Sequence, residues 1–263
     1  MLMENNNSIK EIAEGFFRAH YPNASSAEIE KQVKDWENKI PASRELVKFF
    51  QSRVGQIEGK KVLDVGFGSG GVAIALAEAG GKVYGVDTES DLLSIAQNNL
   101  KQWGQNADLQ IYEGKSLPFP DNYFDYVVCA SVLEHVSFPE IILKEILRVV
   151  HPGGRFFLSL PNRLAFRETH TLAYFVSYLP RTWAEVYLRL LGRSSLAQDN
   201  LHFYSYFAIV RMLKKSGFNY KLISKNPKEM GLLKRYLMFV LDFFGLHYTA
   251  FLPQLMFVIE KIK

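Results

Sequence analysis

The chain has 263 residues, 48% hydrophobic, 14% aromatic and 22% charged, with 18 glycines, 10 prolines and one cysteine. This excludes disordered and collagen-like chains and suits one large α/β domain with embellishments, while the lone Cys129 leaves no partner for an internal disulfide and reads as intracellular. The formal net charge of +4 is uneven: residues 1–161 carry 16 Lys/Arg against 21 Asp/Glu, and residues 162–263 carry 15 against 6, so the two parts are expected to meet partners of different charge.

In chain order, Met1 to Lys10 is polar and lacks the basic-then-apolar order of a secretory signal. Ile9, Ile12, Ala13, Phe16 and Phe17 recur at helical spacing. A second pattern starts at Ser25-Ser26 and runs through Ile29, Val33, Trp36 and Ile40 until Pro41, and Leu46 to Val54 forms a third. Residues 1–58 are thus predicted as a helical cap and residues 59–263 as a sheet domain. From Gly59 short apolar runs alternate with helical stripes. Strands are expected at Lys61–Val65, Lys82–Asp87, Ala107–Glu113, Phe124–Ala130 and Arg155–Leu160, with helices at Val72–Ala79, Ser90–Trp103 and Ile141–Val150. Such alternation gives a doubly wound, mostly parallel sheet that binds ligands at the carboxyl ends of its strands.

After Pro161 the alternation stops. Residues 162–202 are expected as an insertion with a helical, aromatic segment over Leu172–Leu191, interrupted by Pro180. A helix over Ser205–Ser216, a strand over Phe218–Ser224, a second helical insertion at about 227–252 and a final strand over Leu255–Ile262 follow. The most apolar stretch, Leu232–Val258, is broken by Lys234, Arg235, Asp242, His247 and Pro253; it suits a membrane interface better than a span.

The strongest local signal is Asp64-Val65-Gly66-Phe67-Gly68-Ser69-Gly70-Gly71 at a strand-to-helix junction. Glycines let the backbone turn sharply and approach a ligand, and the helix start offers N–H groups. Asp87 ends the next strand, where a carboxylate can accept ribose hydroxyls. Gly66, Gly68 and Gly71 also satisfy the G-x-G-x-x-G dinucleotide pattern. Asp64, two residues before the first glycine, would repel a diphosphate and suits a ligand carrying an ammonium and a sulfonium.

The glycine segment resembles the first motif of the class I S-adenosylmethionine-dependent methyltransferases, and three further blocks agree in order: Glu113 through Leu117-Pro118-Phe119 to Phe124-Asp125, then Leu133-Glu134-His135, then Arg148 through Pro152-Gly153-Gly154. The resemblance covers about residues 59–161. It implies a Rossmann-like seven-stranded sheet with the last strand antiparallel, and S-adenosylmethionine as cofactor. The implied cofactor set is Asp64, Gly66, Phe67, Gly68 and Gly70 around the methionine part, Asp87 at the ribose, Thr88, Glu113 and Gly114 at the adenine, and Ala130 at the end of strand four. Asp125 is expected to order its turn.

Methyl transfer from a sulfonium is an in-line displacement in which positioning carries most of the catalysis, and a base is needed only if the acceptor loses a proton. His135, Glu168 and His170 are the candidate catalytic residues; Glu168, His170 and His202 fit no standard metal-ligand spacing, so no metal is expected. Aromatic residues with a basic rim in the insertions, including Tyr174, Trp183, Arg181 and Arg189, suit a small-molecule, lipid-like or glycan-linked acceptor and peripheral contact with an anionic membrane of a cytoplasmic enzyme. Amino-methylating nucleic-acid enzymes of the family carry an Asn/Asp-Pro-Pro-aromatic block after strand four. Here Ala130 to His135 occupies that place, which disfavours nucleic acid.

Overall fold

Val62 on one face of its segment and Leu63 and Val65 on the other are all buried, and burial of both faces fixes the segment as an interior strand. The computed structural model describes residues 9–20, 26–168, 171, 173–192, 201–217, 220–222, 236 and 254–262. The chain divides into two compact units, Met1–Glu113 and Gly114–Lys263.

The first unit opens with α1 (Ile9–His20), α2 (Ser26–Glu37) and α3 (Lys39–Val54). Ala13, Phe17, Ile29 and Val33 share a small core between α1 and α2, with Phe16 stacked on Trp36 at 5.2 Å. The helical pattern breaks at Asn38 rather than at Pro41. Pro41 lies in the first turn of α3, where a missing N–H costs no intrahelical bond. Then come β1 (Lys61–Val65), α4 (Gly71–Glu78), β2 (Lys82–Asp87), α5 (Ser90–Gln102) and β3 (Asp108–Ile111), with β2 central and every pair parallel. Arg44 ties α3 to α4 by a two-pronged contact with Glu78 (2.7 and 2.6 Å) while its guanidinium lies 4.6 Å from the Trp103 ring centroid.

The second unit holds β4 (Phe124–Ala130), α6 (Pro139–Val149), β5 (Val150–Pro161), α7 (Arg181–Leu190), α8 (Tyr206–Lys215), β6 (Tyr220–Leu222) and β7 (Gln254–Lys261). β4 runs parallel to β5, and β7 lies antiparallel between β5 and β6. The fold is a mixed α/β, Rossmann-like arrangement, mostly parallel with its last strand antiparallel. Ser205 caps α8 by accepting the Ala208 N–H at 3.3 Å. The helix expected over Leu172–Leu191 is shorter. Tyr174 pairs in a bridge with Arg167, Val176–Tyr178 is a single tight turn, and α7 starts only after Pro180. Most of the second insertion, 227–252, lies outside the described residues, as do Phe218 and Phe239. No helix among the described residues is long and apolar enough to cross a membrane.

Two polar clamps explain blocks that the sequence singles out. Arg148 donates to Glu145, to Asp121 and to the carbonyls of Leu117 and Phe119, while Glu145 accepts the Leu117 N–H. That network holds the Leu117–Asp121 loop in place and keeps the Glu145 carboxyl below its ordinary range, chiefly through its bond with Arg148. Asp125 faces His151 at 3.3 Å, and the other ring nitrogen of His151 lies 2.8 Å from the Pro152 carbonyl, so Asp125 orders the turn as expected. At Gly154 a Cβ would stand 2.8 Å from the carbonyl oxygens of both Asp125 and His151. We expect Gly154→Ala to lower stability by about 1–3 kcal/mol, seen as a lower urea midpoint with an unchanged m-value.

Candidate functional site

β1 is followed by a loop with Gly66, Gly68 and Gly70 at positive φ (76°, 54° and 85°), a conformation that side chains other than Asn or Asp rarely adopt. The Gly66 N–H donates to the Val86 carbonyl at 2.7 Å. One Asp87 oxygen accepts the Gly68 N–H at 2.8 Å, and the other accepts the N–H groups of Thr88 (2.7 Å) and Glu89 (3.2 Å). The end of β2 therefore grips the loop directly. Phe67 is buried against the space above Gly85, where a Cβ would meet its ring at 3.2 Å.

Beneath the loop Asp64 is 1% exposed, and one of its carboxylate oxygens has no hydrogen-bond partner. Burial pushes its carboxyl up to about 7. The Asp87 charge adds to the shift, and the Lys39 charge and the Ala73 N–H oppose it. A buried oxygen without a partner at the foot of a glycine cradle fits a cationic ligand and repels a diphosphate, which is the sign expected from the sequence.

Asp64, Gly66, Phe67, Gly68, Gly70, Asp87 and Thr88 converge in the first unit, with Thr88 exposed. Glu113 is exposed just past β3, and the Tyr112 N–H donates to the Asp87 carbonyl at 3.0 Å, so the end of β3 lies beside Asp87. Three further residues shape this site. Lys39 and Ser43 of α3 would each stand 3.0 Å from a Cβ at Gly71, and Asn99 of α5 donates to the Ser69 carbonyl at 2.9 Å. Asn99 carries a readable signal: a polar residue in the buried stripe with Ile95, Ala96 and Leu100. Lys39 and Ser43 carry none, since their contact depends on how α3 folds back.

In the second unit Gly114 has φ 78°, and Ala130 ends β4 next to Ser131, which is held at φ 57° while its N–H donates to the Ser159 carbonyl at 2.8 Å. His135 closes the tight turn Leu133–His135 with its side chain exposed, and Glu134 in the same turn is buried. The Glu134 carbonyl accepts the His202 N–H at 2.7 Å, and the Tyr204 hydroxyl donates to the Val136 carbonyl at 3.2 Å. His202 is held below the ordinary histidine range, first by burial and then by the Arg181 and His135 charges. Glu168 is buried, and one carboxylate oxygen accepts both the N–H and the hydroxyl of Thr171. His170 lies outside the described residues. Among the described residues no three His, Cys, Asp or Glu side chains group as a metal site.

A glycine cradle over a buried carboxylate, on a Rossmann-like sheet, defines a nucleotide-type ligand site with a cationic end. A family model described as "Methyltransferase domain" matches residues 63–158. The chain is 30% identical to a ubiquinone biosynthesis O-methyltransferase of Coxiella burnetii, over 63% of this chain and 74% of the relative. It is 33% identical to a demethylmenaquinone methyltransferase of Anoxybacillus flavithermus, over 63% and 73%. The crystal structure of a magnesium protoporphyrin IX methyltransferase from Synechocystis PCC 6803 with bound SAH shares the fold with a TM-score of 0.55 at 17% identity, covering 95% of this chain and 94% of that one. The chain belongs to the class I S-adenosylmethionine-dependent methyltransferase family, an enzyme family with S-adenosylmethionine as methyl donor. The dinucleotide alternative left open by the glycine spacing falls with that membership.

Asp64 gives a stability prediction. Its folded-state value lies above its ordinary value of 3.8, so the native state keeps a proton that the unfolded chain releases, and stability is lost as pH rises from about 4 to about 7. Asp64→Asn removes that ionisation and should stabilise the ligand-free protein at pH 8 by on the order of 2–4 kcal/mol relative to pH 5. Urea denaturation at the two pH values, with no difference between wild type and variant, would contradict it.

Proposed function

We propose that this enzyme methylates an apolar small molecule, quinone-like or otherwise lipid-linked, in contact with an anionic membrane surface. The observation that carries the cofactor half is the buried, unpartnered Asp64 oxygen under the glycine loop. The acceptor half is supported by relatives named for ubiquinone and demethylmenaquinone and by the aromatic, basic segment after β5. The continuous seven-stranded sheet, the cap over residues 1–58 and the assignment of residues 59–263 to one catalytic domain belong to the same proposal.

S-adenosylmethionine, when bound, supplies a methyl group activated by its sulfonium. In this reading Asp64 supplies the countercharge for the ligand's ammonium, and the loop from Gly66 to Gly70 lets the backbone lie against it. Asp87 already accepts three N–H groups, and a carboxylate has about four acceptor positions, so one remains for a ribose hydroxyl. Thr88, Glu113, Gly114 and Ala130 complete the cofactor set. His135, exposed at its turn, and His170 orient the acceptor or take its proton, and Glu168 contributes through the loop it orders.

Titration calorimetry with S-adenosylmethionine tests the cofactor half. Asp87→Ala should weaken binding at least tenfold, since it removes both the loop clamp and the free acceptor position. A cationic ligand favours ionised Asp64, so wild-type affinity should fall as pH drops from 8 to 6, by up to about tenfold per unit. Affinity independent of pH would remove Asp64 from the ammonium contact. Turnover of labelled S-adenosylmethionine with quinol acceptors tests the acceptor half; an unchanged kcat in His135→Ala would exclude His135 as the base.

A further inference from the structure

Among the described residues after β5, several large apolar side chains face water. Ala173, Val176, Ala184, Leu188 and Leu201 form a small core, with Tyr187 packed against it. α7 thus spends one apolar stripe on the interior. Trp183, Val186 and Leu190, spaced i, i+3 and i+7, form a second stripe that faces solvent, with Trp183 69% and Leu190 81% exposed. Arg167 and Tyr174 pair in an antiparallel bridge, and the flanking Phe166 and Phe175 rings meet edge to face at 5.8 Å. Phe175 holds φ 57°, strained for a bulky residue, with its ring half in water. At about 150–250 Å² per aromatic side chain, the linked rings of Phe166, Phe175 and Tyr178 together with the ring of Trp183 leave on the order of 500 Å² exposed.

Charge selects the occupant. Between residues 163 and 192 the described residues carry four exposed arginines, Arg163, Arg167, Arg181 and Arg189, against a half-buried Glu185 and the buried Glu168. We propose that this face docks on an anionic lipid bilayer, with the α7 stripe and the Phe166/Phe175 pair entering the interface and the arginines meeting headgroups. Aromatic rings with flanking cations on a short amphipathic helix are the chemistry of interfacial binding. A second copy of the chain fits worse, since a self-complementary contact would set the four arginines against the same four. This inference rests on the apolar-acceptor reading above and names the surface that serves it.

Co-sedimentation of the full chain with phosphatidylcholine vesicles, with and without phosphatidylglycerol, tests it. We expect binding that needs the anionic lipid and weakens with added salt. Both Trp183→Ser/Leu190→Ser and Phe175→Gly should reduce it at least tenfold, and the glycine variant suits the backbone it replaces, so its fold is retained. No binding, binding without anionic lipid, unchanged binding in both variants, or a dimer in sedimentation velocity that the variants dissociate would each overturn the proposal. S-adenosylmethionine titration of the same proteins separates the two readings. Cofactor binding without vesicle binding overturns the docking face and the membrane contact and leaves the methyl-transfer reading standing, and vesicle binding without cofactor binding overturns the functional reading.

Discussion

The carboxylate of Asp87 holds the cofactor half of this enzyme together. It ends β2, nearly out of solvent, and accepts N–H groups from Gly68 on one side and from Thr88 and Glu89 on the other. A loop with three glycines at positive φ has wide conformational freedom, and one charged acceptor that reaches both the loop and its own following turn removes much of it. Asp64 lies close enough for the two charges to repel, yet has a single backbone donor, from Ala73. The same residue type, a strand apart, therefore has two different jobs. Asp87 is satisfied by the protein, and Asp64 is left for something else to satisfy. Leaving it so lowers the stability of the ligand-free protein, the usual relation between a preorganised site and the fold that carries it.

The second unit follows a different principle. Its strands are fixed by clamps that act at a distance along the chain, Arg148 on the Leu117–Asp121 loop and His151 on Asp125. Those clamps free the ends of β4 and β5 to carry the turn at His135 and the loop ordered by Glu168. Beyond that frame, the described residues after β5 form a small core of Ala173, Val176, Ala184, Leu188 and Leu201 and leave Phe166, Tyr174, Phe175, Tyr178 and Trp183 facing solvent. The uneven charge seen in the sequence now has an address. The acidic portion includes the glycine loop and its two carboxylates, and the basic portion includes the exposed arginines interspersed with exposed aromatic residues after β5.

Strands, the glycine loop, Asp64 and Asp87 were legible without coordinates, because they depend on local rules: a buried strand needs an apolar run, a sharp turn needs glycine, and a cationic ligand needs a carboxylate. β1, β2 and β4 begin and end where the apolar runs do. Of the segment over Leu172–Leu191, the part after Pro180 is the helix its spacing predicts, while before Pro180 aromatic residues at the same spacing serve a bridge and a tight turn that only the fold reveals. Glu168 draws notice in the sequence through the Glu-x-His pair it forms with His170, and its burial and its contacts with Thr171 come only from the fold.

The sequence by itself determined the mixed α/β class, the family and the S-adenosylmethionine that goes with it, since each is written in neighbouring residues. Only the tertiary structure decided that Lys39 and Ser43 lie against Gly71, that Asn99 supports Ser69, and that Trp183 and Leu190 face water while Ala184 and Leu188 do not. The physical reason is the same in each case. Contacts between residues far apart in the chain, and the choice of which of two apolar stripes a helix buries, follow from packing, which no local pattern encodes.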